Sequence, residues 1–231
     1  MGVVGELILI RHGQSAANVA FPKADAAGLV DSGITGRDAD VELTAVGRAQ
    51  AEAIGRWLTK LPDADRPQVV VTSPYLRARE TWRIAAETSG LELPAPSTDD
   101  RLVDRLLGDL EMLTRAAIAE RFPDEPERWK QTGEYHYRPP GGETFGDVAG
   151  RLASLLADLN HDHPGERVVV VAHDAVVLMM RYVIEGLDWD AIAAVARTGH
   201  VRNASITRFD GTSGHLVLDV YNTIDHLPPT P

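Results

Sequence analysis

The chain has 231 residues, 44% of them hydrophobic and 25% charged, with a formal net charge of −11 and no cysteine. Such a length buries a sizeable core without disulfide staples, and the missing cysteine excludes thiol nucleophiles and thiolate metal sites. The acidity turns most of the surface against nucleic acid and anionic membranes, so an anionic ligand requires a local cluster of cations.

In chain order, the first apolar run is residues 6–10 (ELILI), a buried strand that stops at Arg11, His12 and Gly13. Residues 3–10 are too short and too interrupted by Glu6 for a signal peptide or membrane helix, and no later stretch reaches spanning length. The expectation is a soluble, cytoplasmic protein. Thr44 can cap a helix carrying Val46, Ala53, Ile54, Trp57, Leu58 and Leu61 at helical spacing. Residues 68–72 (QVVVT) form a second strand, ending at Ser73-Pro74, which reads as an N-cap followed by the first helical residue. Phe145, Val148, Leu152, Leu155, Leu156 and Leu159 mark another amphipathic helix. Residues 167–172 (RVVVVA) are a third strand, stopping at His173-Asp174 before a helix over 175–185 that Gly186 closes. Residues 201–209 and 216–221 alternate like exposed or edge strands. No linker, charge block or repeat divides the chain, which reads as one domain over 1–231.

Strands alternating with helices predict a three-layer α/β/α sandwich, a mostly parallel central sheet with helices on both faces. Ligands bind such sheets outside the carboxyl ends of the strands. That geometry would bring Arg11, His12, Ser73 and His173 to one rim. A neutral imidazole at a strand end is a competent nucleophile toward phosphorus. An adjacent guanidinium offers a planar fork of donors for phosphoryl oxygens, and Asn18 adds another donor. An isolated Arg-His-Gly tripeptide is as well explained by an ordinary polar strand end.

The company it keeps changes that reading. Arg11-His12-Gly13-Gln14-Ser15-Ala16-Ala17-Asn18 resembles the opening motif of the histidine phosphatase superfamily, the phosphoglycerate mutase-like group. Residues 35–47 are similar to its second block, 73–81 to its third, and Ala172-His173 to its late histidine, all in order. The resemblance implies that His12 becomes a phosphohistidine. It implies that Arg11, Arg77 and His173 hold the non-bridging oxygens, with Asn18, Ser15 and Gly13 as further phosphate contacts. Arg77 would sit in the first turn of a helix, whose N-terminal dipole also favours an anion. A carboxylic acid must protonate the leaving alkoxide. Asp104 aligns with the family's usual Glu, and Glu111 and Asp109 compete for the role. Asp174 stands where Gly is common. It either hydrogen-bonds locally and orders the helix start, or repels phosphate and lowers activity. His161-Asp162-His163 reads as a solvated helix end, so no metal is expected, and no cofactor.

The same resemblance covers hydrolases and mutases. A mutase would show a different insert and a Pro-Thr-Gly-like approach to the last strands, whereas Arg202-Asn203-Ala204-Ser205-Ile206-Thr207 looks like the phosphatase branch. The favoured expectation is a phosphatase acting on a small phosphorylated metabolite. Phosphoglycerate mutase and a non-catalytic phosphate-binding protein are the alternatives, and a homodimer is left open. An insert at about 106–142 is expected to cap the site. Within it Tyr137 and Arg138 are the preferred substrate contacts, joined by Arg37 from the second block.

Overall fold

A computed structural model describes residues 2–228. Its sheet is built from the valine- and isoleucine-rich runs, and the side-chain period of two divides them between two cores. Along β1 (Glu6–Arg11), Leu7 and Leu9 point to one face, while Ile8 and Ile10 point to the other. The next elements are α1 (Ala16–Ala26), α2 (Ala45–Leu58), β2 (Val69–Thr72), α3 (Leu76–Ser89) and the short β3 (Ser97–Thr98). Then come α4 (Arg115–Arg121), α5 (Glu125–Thr132), α6 (Phe145–Asp162), β4 (Arg167–Ala172), α7 (Asp174–Glu185) and α8 (Trp189–Arg197). Two strands close the chain, β5 (Ile206–Asp210) and β6 (Val217–Thr223).

The strand order is β3-β2-β4-β1-β5-β6. The first four run parallel, and β5 and β6 are antiparallel additions on one side. Leu7, Leu9, Val168 and Val170 pack under α6 and α7, with Leu152 and Met179 at the centre. Ile8, Ile10, Val169 and Val171 pack under α2 and α3, with Ile54 and Trp82. Fully burying one such side chain contributes roughly 1.5–3 kcal/mol, most of it offset by lost conformational freedom. Among the described residues no helix is long and apolar enough to cross a membrane.

Several local expectations change. β5 is no edge strand, since it lies between β1 and β6 with Phe209 fully buried. Ser73 does not cap α3, which begins at Leu76 after an N-cap at Tyr75 that makes no side-chain bond. The helix α1 was not anticipated. Ser15 and Asn18 form a reciprocal capping box at its start, and Pro22 lies inside it. Thr44 does cap α2, accepting from the Gly47 amide. At that corner Gly13 and Gly47 are glycines by necessity. A Cβ on Gly13 would stand 2.5 Å from the Gly47 carbonyl oxygen, and one on Gly47 would stand 2.1 Å from the Gln14 oxygen. The close approach fixes the segment after β1 against the start of α2.

Candidate active site

Because β4 lies between β1 and β2, the residues after these three strands meet at one rim. The His12 amide bonds to the Ala172 carbonyl at 2.9 Å, and the Ser73 amide to the Val171 carbonyl at 2.9 Å. His12 is 2% exposed and His173 fully buried, with ring centroids 5.2 Å apart, edge to face.

Hydrogen bonding fixes the His12 tautomer. Arg77 Nε, which can only donate, lies 3.2 Å from His12 Nε2, so Nε2 accepts. Nδ1 then carries the proton and donates it to the Gly13 carbonyl at 2.7 Å. Burial, then His173, Arg77 and Arg11, hold the imidazole well below the ordinary histidine pKa. The ring is therefore neutral at neutral pH, with a lone pair at Nε2. His173 Nε2 is 2.8 Å from the Ser73 hydroxyl, which is what Ser73 does in place of capping. His173 Nδ1 lies 3.4 Å from Asp104 Oδ2. Burial and the guanidiniums of Arg77, Arg11 and Arg151 keep this imidazole neutral as well.

Arg77 emerges from the first turn of α3 and is 3% exposed. It forks onto Asp38, with Nη1 to Oδ1 and Nη2 to Oδ2 both at 3.0 Å, and Nη2 is 3.3 Å from Asp104 Oδ2. Burial disfavours its charge, but Asp104 and Asp38 outweigh burial and raise its pKa. Arg11 donates to the Val201 carbonyl and lies 3.6 Å from Asp174 Oδ2. Asp174 also accepts from the Ala175 amide at 2.9 Å, so it orders the start of α7 and still faces the cleft. Asn18 Oδ1 accepts from the Ser15 amide and from Asn203 Nδ2, both at 3.0 Å.

These groups line a cavity of about 630 Å³. Asp104 reaches both His173 and Arg77; Glu111 also lines the wall, where its Oε1 lies 3.5 Å from the Asp38 amide, and Asp109 is absent from it. Four expected contacts are placed otherwise. The Gly13 amide is already bonded to Thr81 Oγ1 at 3.0 Å. Arg37 is 78% exposed at its side chain and pairs with Asp40. Tyr137 is fully buried, stacked on Trp129 at 4.5 Å, with its hydroxyl satisfied by Glu125. Arg138 points outward to Asp147. A buried tyrosine must spend its hydroxyl on a partner, and exposed arginines pair with nearby carboxylates, so none of these three reaches the cleft. Asp38, Arg105, Trp129, Phe145, His200 and Asn203 do line it and were not foreseen. A lone-pair nitrogen beside convergent guanidiniums suits transfer of a phosphoryl group, whose charge is spread over non-bridging oxygens.

Comparison with known proteins agrees with this geometry. A family model described as histidine phosphatase superfamily (branch 1) matches residues 7–224. A glucosyl-3-phosphoglycerate phosphatase of Mycobacterium tuberculosis is 31% identical over 216 residues, covering 89% of this chain and 85% of the relative. A 2,3-bisphosphoglycerate-dependent phosphoglycerate mutase 2 of Gloeobacter violaceus is 29% identical over 228 residues, covering 97% and 95%. The solved structure of a mycobacterial glucosyl-3-phosphoglycerate phosphatase with VO3 superposes with a TM-score of 0.73 at 30% identity, covering 95% of this chain and 100% of that one.

Proposed function

The chain belongs to the histidine phosphatase superfamily, and from that membership we propose a metal-independent phosphatase that hydrolyses small-molecule phosphate monoesters through a phosphohistidine on His12. The observation that carries this reading is the His12 tautomer, a buried neutral imidazole whose Nε2 lone pair stands beside Arg77.

In the first step Nε2 attacks phosphorus, the P–O bond to the alcohol breaks, and Asp104 in its acid form gives its proton to the departing oxygen. In the second, a water oxygen attacks phosphorus, the N–P bond breaks, Asp104 takes the water proton, and inorganic phosphate leaves. Arg11, Arg77 and His173 hold the non-bridging oxygens throughout, with Asn18 and Ser15 ordering the start of α1 beside them. Substrate phosphate takes over the Arg77 fork, which Asp38 otherwise engages. The positive charge facing the phosphate comes from guanidinium groups, and among the described residues no cluster of His, Asp and Glu is arranged to hold a metal ion. The segment 106–142 contributes Leu107, Glu111, Met112, Leu113, Trp129 and Glu134 to the wall, which supports its assignment as a substrate-selecting cover.

Hydrolysis is favoured over mutase chemistry because a mutase must retain a second phosphate. Arg11 and Arg77 are taken by the transferred phosphate, and the remaining guanidinium of the wall, Arg105, is held by Glu134 and by the Glu143 and Tyr137 carbonyls. The test is phosphate release from a panel of esters in the presence of a chelator, with His12→Ala alongside. Acid-labile, alkali-stable phosphate on the quenched wild-type protein, absent from the variant, is the expected result. Release that requires added metal, or that survives in His12→Ala, rejects the mechanism.

A further inference from the structure

We propose that the alcohol half of the substrate is a neutral, ring-bearing group, seated in a second cavity that opens off the phosphate pocket. The inference rests on the phosphatase reading for where the phosphate sits, and deepens it by naming the leaving group. The second cavity has a volume of about 310 Å³, the lower end of the roughly 300–1,000 Å³ typical of small-molecule sites. It shares Glu134, Phe145, Asp174, Ala175 and His200 with the phosphate pocket, so the two adjoin along these side chains. In this proposal an ester whose phosphate lies at His12 extends past the small side chain of Ala175 into this annex.

The annex walls are apolar and aromatic, formed by Tyr135, Phe145, Leu178, Val201 and Tyr221. The rings are held in place by their neighbours. Tyr135 packs against Phe145 at 5.3 Å and stacks on Trp189 at 5.6 Å, and Trp189 in turn stacks on Tyr182 at 4.4 Å. A rigid aromatic wall of this kind favours a flat or cyclic apolar group by burial and offset stacking.

Charge decides what the annex rejects. Asp174 and Glu134 stand at the junction of the two cavities, and Asp38, Asp104 and Glu111 line the phosphate pocket itself. Arg11 and Arg77 are committed to the transferred phosphate, and Arg105 is held by Glu134 and by the Glu143 and Tyr137 carbonyls, so among the described residues the guanidiniums lining the two cavities are all engaged. A carboxylate or second phosphate on the leaving group would lie against these carboxylates and lose water with no lining guanidinium left to replace it. A neutral ring loses nothing there.

The experiment compares ethyl phosphate, 2-phenylethyl phosphate and 2-carboxyethyl phosphate, three alkyl esters chosen so that the wall is the main difference. Propylphosphonate, 3-phenylpropylphosphonate and 3-carboxypropylphosphonate, which cannot be hydrolysed, are titrated in parallel by calorimetry. The expected result is at least a tenfold higher kcat/KM for the phenyl ester than for the ethyl ester. The phenyl phosphonate should bind about tenfold more tightly than the propyl compound, and the carboxylates should be the weakest in both series. Ala196→Trp, a half-buried position on the annex wall, should erase the phenyl preference in both ratios. Equal binding of phenyl and propyl phosphonates, a carboxylate preference, no binding of any phosphonate, or an unchanged ratio in Ala196→Trp each overturn the proposal. If the phenyl phosphonate is preferred but no ester is hydrolysed, the annex stands and the phosphatase reading falls. Hydrolysis with no phenyl preference has the opposite meaning.

Discussion

At the scale of single residues, the site is a set of charge pairings around one neutral nitrogen. His12 contributes a lone pair that cannot be replaced by alanine, so His12→Ala should lower kcat/KM by about a thousandfold or more. Asp104→Asn gives a finer test. Proton donation is worth roughly 10²–10⁴-fold where the leaving oxygen is strongly basic, and little where it leaves unaided. The variant should lose that factor with ethyl phosphate while hydrolysis of p-nitrophenyl phosphate falls far less. An equal loss on both esters would assign Asp104 to orienting Arg77 and His173, which it also approaches. Motif order put forward His12, Arg11, Arg77 and His173, because their identities recur in fixed blocks, and the fold gathers these four at one rim. Asp38 was inside a quoted block and still went unassigned. Only the fold brings its carboxylate from the loop before α2 onto the fork of Arg77. Tyr137 and Arg138 lie away from the cleft for the converse reason: proximity in sequence to a Pro-Gly turn says nothing about which way a side chain faces.

At the scale of elements, the strands and most helices were legible from periodicity, since the buried runs of β1, β2 and β4 are apolar on both faces. The exceptions follow from what periodicity cannot register. The helix α1 carries Pro22 in its interior and buries only Ala24, so it shows no apolar stripe, and its one signal was the Ser15–Asn18 cap. The alternation of residues 201–209 suggests an exposed or edge strand, yet pairing with β6 covers β5 and removes the edge. The approach of Gly13 to Gly47 is an element-level constraint with a clear consequence. Gly47→Ala drives a methyl into the Gln14 carbonyl, and overpacking of this kind costs about 1–3 kcal/mol. The expected outcome is a lower Tm together with reduced activity, because the displaced segment carries Gln14 and adjoins His12. Thr144→Ala is the matched control. It removes the capping box of α6 at a cost of about 0.5–2 kcal/mol. Thr144 is absent from both cavity walls, so the variant should lower Tm with kcat/KM near wild type.

At the scale of the whole molecule, building the site from buried neutral histidines ties folding stability to pH. His12 and His173 are both held well below the ordinary histidine pKa, and burial lowers His226 to about 4. In the unfolded chain each of these rings takes a proton as pH falls through about 6.5, whereas in the folded protein it stays neutral. The unfolded state thus binds more protons, and stability declines as pH drops below that value; above about 7 both states are neutral and the contribution vanishes. Between pH 6.5 and 5.5 the expected loss is about 1 kcal/mol for each of His12 and His173. This window lies above the range in which Asp99 and Asp147, lowered by their hydrogen bonds and arginine partners, begin to protonate. Glu6, raised by burial, acts in the opposite sense at the acid end of the range. Denaturant melts at half-unit steps from pH 5.5 to 7.5, in buffers free of phosphate because a bound anion would stabilise the native state, measure the slope directly. His12→Asn changes absolute stability by an amount set by local repacking, but it also removes one of the buried titrating rings. Its loss between pH 6.5 and 5.5 should therefore be smaller than that of wild type by about 1 kcal/mol. An unchanged slope would mean that His12 is already protonated in the folded protein at pH 5.5, which would leave Nε2 without the lone pair that attack on phosphorus requires.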